Sequence, residues 1–221
     1  MSVARMQQID AAAIDTLGIP RLFLMEHAGL AVARAVQTLA APRTQPILIC
    51  AGTGFNGGDG LAAARHLHAW GYPLQVLLTA PVSRLTGEPA LYAAILQRLG
   101  LTLTDASNPA ARPSVDAAFR GCAAVVDALL GIGAQGPVRE PAASLIRLMN
   151  ASQKPVVAVD VPSGLDADSG AVQGVAVRAT LTVTFGLAKR GCVRGEGPAH
   201  TGALIVDPIT FPSHLLQGAE G

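Results

Sequence analysis

The feature that most constrains this chain is an alternation of signals: a short apolar run, a turn rich in Gly or Asp, then a stretch with helical spacing. Apolar runs of strand length fall at 47–51, 74–79, 101–104, 123–129, 155–161, 180–185 and 203–206. Helical spacing is read over 3–16, 21–40, 58–70, 86–99 and 139–151. Gly18 and Pro20 stop the first helix, and Pro42 and Pro46 break the chain after the second. On the second helix Leu22, Met25, Gly29, Val32, Val36 and Leu39 recur on one face. Strands alternating with helices imply a parallel sheet in a doubly wound α/β fold. Residues 186–202 are rich in Gly and lack periodicity. The last two strands therefore have no helix-length link, which leaves one of them free to run antiparallel at an edge.

Half of the 221 residues are hydrophobic and only 4% are aromatic. The core must then be built from Ala, Val, Leu and Ile, which suits strands buried on both faces. No repeat or linker divides the chain, so a single domain over 1–221 is expected. The net charge is +1 with no basic stripe, which disfavours nucleic acid as a partner. No apolar run approaches the roughly 20 residues of a membrane span, and the N-terminus does not read as a signal peptide. Cys50, Cys122 and Cys192 are odd in number and far apart. They read as reduced thiols of a cytoplasmic protein. Cys50 and Cys122 lie in apolar runs and read as core, while Cys192 in its Gly-rich loop is open to exposure. The five histidines have no ligand spacing to one another.

Ligands in such folds gather at the carboxyl ends of the strands, and four segments begin there. The first is GTGFNGGDG, residues 52–60. Its glycines let backbone approach a ligand, and the helix it opens offers free N–H groups to an anion. The usual dinucleotide fingerprint also needs an acid about 20 residues on. None occurs between Asp59 and Glu88, which argues against a conventional nucleotide-dependent oxidoreductase. Asn56 and Asp59 offer side-chain oxygens instead, although Asp59 also reads as a helix-start residue. The second segment, 125–140, places Asp127 at the end of an apolar strand before Gly131, Gly133 and Gly136. A carboxylate there needs a partner, or caps its own loop. The third, 156–170, puts Asp160 at a strand end, then the rigid turn Pro162-Ser163-Gly164. Asp166 and Asp168 follow and read as a solvated turn rather than an acid cluster for a metal. The fourth, 182–197, carries Lys189 and Arg190, which either face a ligand or lie in solvent.

These segments, with LMEHAG (24–29), GTGFNGGDG (52–60), VDALLGIG (126–133), VDVPSGLD (159–166) and TFGLAKRG (184–191), occur in an order that closely resembles the NAD(P)H-hydrate epimerase family, or YjeF N-terminal domain. The resemblance implies a Rossmann-like three-layer α/β/α sandwich with a mostly parallel central sheet, usually a homodimer. It implies an isomerase of metabolite repair that interconverts the R and S forms of hydrated NADH and NADPH (NADHX and NADPHX). A separate or fused dehydratase then restores the cofactor. The rival reading is a catalytically silent nucleotide-binding or protein-interaction module on the same fold. By motif, substrate binding falls on Phe55, Asn56, Gly57, Gly58 and Asp59, and on Gly131, Ile132, Gly133, Ala134, Gln135, Gly136 and Pro137, with a further contact at Asp160. The family's potassium ion falls on Asn56, Asp127 and Ser163, which are hard oxygen donors suited to such a cation. Two departures stand out: Phe55 replaces a common Asn, and His27 another. After Pro212 only nine residues remain, so the dehydratase is expected on another chain or in a longer protein. The reacting C6 carries both a hydroxyl and the ring nitrogen, so an acid/base and an anion are needed beside it. Asp160 is the expected catalytic residue, helped by Lys189.

Overall fold

The computed structural model describes residues 1–39 and 43–217. Ala40 and Pro42, where the sequence places the end of the second helix and a chain break, lie outside the described residues. Seven strands form one sheet: β1 (Ile47–Ala51), β2 (Leu74–Leu78), β3 (Leu103–Asp105), β4 (Ala124–Ala128), β5 (Val156–Val159), β6 (Leu181–Phe185) and β7 (Ala203–Asp207). Their order is β3-β2-β1-β4-β5-β6-β7, and every pair is parallel. β1, β4, β5 and β6 are buried along their whole length. That explains why they read as unbroken apolar runs rather than alternating ones.

The sheet has helices on both faces. On one side lie α1 (Val3–Ala11), α2 (Arg21–Thr38), α3 (Phe55–Ala69) and α4 (Gly87–Arg98). They cover Ile47, Ile49, Val126, Val157 and Val183. On the other lie α5 (Arg112–Gly121) and α6 (Ala142–Ser152), over Leu48, Cys50, Val125 and Val156. The alternation of odd and even β1 residues between two cores is the period of two that a strand imposes. The result is the three-layer α/β/α sandwich.

The expected helix 3–16 is α1 followed by a π turn, Ala12–Thr16. α3 begins three residues earlier than expected, at Phe55. α5 was missed altogether, although Val115, Ala118 and Phe119 are buried at helical spacing; the run is too short to stand out from its polar flanks. The edge strand is corrected too: β7 is parallel to β6. Two one-turn helices make the crossover, α7 (Arg190–Val193) and α8 (Gly197–Thr201), each too short to show periodicity. A last short helix, α9 (Ser213–Leu216), follows β7. Cys192 is not exposed but buried on α7, and His200 is buried on α8 with Nδ1 at 2.8 Å from the Val177 carbonyl. No helix among the described residues is long and apolar enough to cross a membrane.

The order 3-2-1-4-5 reverses direction between β1 and β4, which opens a crevice at their carboxyl ends. α2 and α3 close that crevice by direct contact of small residues. A Cβ on Gly29 of α2 would lie 2.5 Å from Ala62 Cβ and 2.7 Å from Ala63 N of α3. Backbone on α3 has no room to yield. Gly29→Ala is therefore expected to lower unfolding free energy by about 1–3 kcal/mol, against the gain of up to about 1 kcal/mol that Ala brings to an unpacked helix. Urea unfolding of the two proteins measures it.

Candidate active site

The crevice is a cavity of about 720 Å³, within the size range of small-molecule sites. Its floor is the glycine run. Most of those glycines answer to protein neighbours rather than to a ligand. A Cβ on Gly52 would lie 2.0 Å from the Leu129 carbonyl oxygen, and one on Gly57 would lie 2.0 Å from that of Gly52. The side chains of Met25 and Ala128 crowd Gly58 and Gly60. The run thus seats α3 against β1 and β4, and so aims the first turn of α3 into the cavity. Amides in that turn have no partner within the helix. Gly54 is the N-cap and has open space beside it.

Of the residues singled out in the sequence, Phe55, Asn56, Asp59, Gly131, Ile132, Gly133, Ala134, Asp160 and Lys189 line this one cavity. Gly57, Gly58, Gln135, Gly136 and Pro137 do not, and Asp127 and Ser163 lie behind its wall. Phe55, unexplained in the sequence, has a partner: the Arg21 guanidinium sits 4.2 Å from its ring centroid. The aromatic face attracts that cation. Arg21 gave no signal in the sequence, because its relation to residue 55 is purely spatial.

Asp160 follows β5 with φ at 67°, a left-handed conformation that non-glycine residues rarely adopt. The Val161 amide donates to the Val159 carbonyl at 2.8 Å, closing a three-residue turn around it. Such strain costs of the order of 1–3 kcal/mol and persists only where its surroundings enforce it. Here the enforcing group is Lys189, 1% exposed. Its Nζ donates to Asp160 Oδ1 at 2.5 Å and to the Phe185 carbonyl at 2.7 Å. Thr184 Oγ1 and the Phe185 amide donate to the same Oδ1 at 3.1 and 3.3 Å. Oδ2 receives no hydrogen bond from any described residue and opens on the cavity. Lys189 is thus not one of a pair of solvated charges, while Arg190 begins α7.

Behind the floor, two side chains, Ser163 and Asn56, converge on Leu130, and Asp127 joins them through Ser163. Ser163 Oγ donates to Asp127 Oδ1 at 2.6 Å and accepts from the Leu130 amide at 2.9 Å. The Ser163 amide donates to Asp127 Oδ2 at 2.8 Å. Asn56 Nδ2 donates to the Leu130 carbonyl at 3.0 Å. A Cβ on Gly131 would come within 3.1 Å of Asn56 Cβ, so glycine leaves room for the amide. Carboxylate, hydroxyl and amide oxygens make a hard donor set that fits an alkali or alkaline-earth cation better than a transition metal. Burial holds the neighbouring Cys50 thiol well above its usual range, hence protonated and no ligand. Asp166 is otherwise employed. It accepts from the Ser169 amide and hydroxyl at 2.7 Å each, a solvated turn. No metal-holding group of three His, Cys, Asp or Glu occurs among the described residues.

Burial pushes the Asp127 carboxyl up to about 6, and hydrogen bonds from Ser163 and Leu129 only partly offset it. The folded chain therefore holds a proton that the unfolded chain releases. This contribution to stability is full below about pH 4 and is lost as pH rises to about 6. In potassium-free buffer, Asp127→Asn is expected to remove up to about 3 kcal/mol of that decline. Unfolding free energies measured across the range test it.

The YjeF-related protein N-terminus family matches residues 21–191. A bifunctional NAD(P)H-hydrate repair enzyme, Nnr, of Pyrobaculum aerophilum is 47% identical over 199 residues, which are 90% of this chain and 39% of that protein. An NAD(P)H-hydrate epimerase of Limosilactobacillus fermentum is 42% identical over 206 residues, 93% of this chain and 94% of the relative. Among solved structures, the crystal structure of yeast YNL200c superposes with a TM-score of 0.78 at 26% identity, covering 87% of this chain and 82% of the yeast chain. The chain thus spans well under half of the bifunctional relative and nearly all of the shorter one. Its sheet order, its glycine floor and the matched segment agree: the chain belongs to the YjeF-related protein N-terminus family.

Proposed function

We propose that this chain is an NAD(P)H-hydrate epimerase, an isomerase that interconverts R and S forms of hydrated NADH and NADPH. The observation that carries the reading is Asp160. One carboxylate oxygen is fixed by a buried lysine, and the other is bare on the wall of a cavity large enough for a nucleotide. The similarity to a relative of the same length, itself named an epimerase, supports it.

The reaction needs little else. C6 of the damaged ring bears a hydroxyl and is bonded to the ring nitrogen. The nitrogen lone pair expels the hydroxyl, leaving an iminium cation, and water adds to the other face. Asp160 faces that cation as the stabilising anion, and its free Oδ2 takes the proton of the incoming water. Lys189 holds Asp160 in place and leaves that oxygen available. The first turn of α3, with Phe55 to Asp59, and the loop from Gly131 to Pro137 would bind the nucleotide, the amides facing phosphate.

Asn56, Asp127 and Ser163 would hold a potassium ion. Its positive charge would lock the two loops together and offset phosphate, with no redox part. The fold is read as one domain over 1–221, acting in the cytoplasm as a homodimer beside a separate or fused dehydratase.

A coupled assay tests the reading. R-NADHX is mixed with the chain and a dehydratase that consumes only the S form, and NADH absorbance is followed. Accelerated, complete recovery is expected, faster with potassium than without, and recovery at the spontaneous rate overturns the reading. Asp160→Asn is expected to fold and to lose at least about 100-fold in rate; a parental rate would remove Asp160 from the chemistry.

A further inference from the structure

We propose that Asp10, on α1, is the general acid of this site, protonating the hydroxyl that leaves C6, while Asp160 remains the base. The inference rests on the epimerase reading and assigns a role to a residue outside every glycine loop.

The first wall of the cavity is α1. Met6, Gln7, Asp10, Ala11 and Ile14 face it at helical spacing. The helix then loosens into the π turn, where the Leu17 amide donates five residues back to the Ala12 carbonyl at 3.0 Å. Such turns are frequent at functional sites. No hydrogen bond from a described residue reaches the carboxyl of Asp10 or of Asp59. No buried polar side-chain atom among the described residues lacks a partner. The oxygens of Asp10 and Asp59 are therefore not sealed in protein; they open on the cavity that both residues line.

Charge decides which groups carry protons. Asp10 comes from α1, Asp59 from α3, Asp160 from the end of β5 and Lys189 from the start of α7. Arg21, at the head of α2, stands at the rim on the Phe55 ring, and Asp15 lines the same wall. Three inner carboxyls thus share one buried ammonium, and that ammonium sits on Asp160. Like charges in such a site cannot all ionise. Burial pushes Asp10 up to about 6; Asp160 adds to the rise, while Lys189 and Arg21 oppose it. Burial, with Asp160 and Asp10, pushes Asp59 well above the usual carboxylate range. Asp59 is thereby biased at neutral pH toward its protonated, hydrogen-bond-donating form. Asp10 is the group that can give up and regain its proton there, as a turning-over acid must.

The step balances. The C6–O bond breaks with its electron pair on oxygen, the Asp10 proton joins that oxygen to make water, and the nitrogen lone pair forms the C=N bond. Water then adds to the opposite face and its proton goes to Asp160 Oδ2. Passage of that proton through cavity water to the Asp10 carboxylate restores the starting state.

The test is the coupled assay with the unaltered chain, Asp10→Asn and Asp10→Glu, each read between about pH 5 and 8. The unaltered chain is expected to lose turnover as pH rises through the titration of Asp10. Asp10→Asn is expected to lower kcat by about 100-fold or more, with KM little changed and that pH limb gone. Asp10→Glu is expected to keep the limb at a reduced rate. A kcat for Asp10→Asn within about threefold of the parent, on an unchanged pH profile, overturns the assignment. Should Asp10→Asn fail to fold by circular dichroism, a flat alkaline limb in the unaltered chain overturns it equally. No acceleration by the unaltered chain overturns the epimerase reading, and this inference with it.

Discussion

The ion pair between Lys189 and Asp160 is the interaction on which the site depends. Its two side chains are 1% and 10% exposed, and removal of one partner would leave a charge stranded in the interior. The pair also ties two strand ends. Asp160 accepts from Thr184 and Phe185 of β6, and its amide donates to the Val183 carbonyl at 2.7 Å. Those bonds hold the chain in a strained turn that it would not adopt alone. The strain has a consequence: the carboxylate turns back over the sheet's end instead of continuing the strand, with one oxygen satisfied and one free.

The glycine run serves the same geometry from the other side of the crevice. Gly52 and Gly57 exist because carbonyl oxygens occupy the places their side chains would take. That contact pulls the head of α3 down onto β1 and β4, and brings Asp59 and Asn56 to opposite uses. Asp59 faces the cavity, where burial pushes its carboxyl above the usual range. Asn56 reaches through to Leu130 and the Asp127–Ser163 pair. A single turn of helix therefore serves both the cavity and the polar cluster behind it. Burial biases Asp10 and Asp59 toward their neutral forms in the cavity where Lys189 pairs with Asp160.

The fold was legible because its strands are buried on both faces: Ile47–Ala51 and Val156–Val159 can be little else. α5, α7 and α8 were not legible, since one to three turns carry too few apolar positions to declare a period. The site was half legible. Asp127 and Asp160 stood out as acids ending apolar strands, an anomaly that burial makes costly. Lys189 looked as much like a surface charge as a buried one, because its environment is set by chain folding far from its neighbours in sequence. Asp10 was invisible for the same reason: it sits on an ordinary amphipathic helix, and only packing of that helix over the crevice brings it to the cavity that Asp160 also lines. Phe55 stood out only as a departure from a common Asn, and its partner Arg21 became visible only in space.

The central claim is that one buried lysine sets both the shape and the charge of the site. The most direct measurement is stability and turnover of Lys189→Met, alone and combined with Asp160→Asn. The account predicts that Lys189→Met loses about 3 kcal/mol or more, because a carboxylate is left buried and unpaired. It predicts that adding Asp160→Asn returns much of that stability while turnover stays lost. A Lys189→Met chain as stable and as active as its parent would contradict the account.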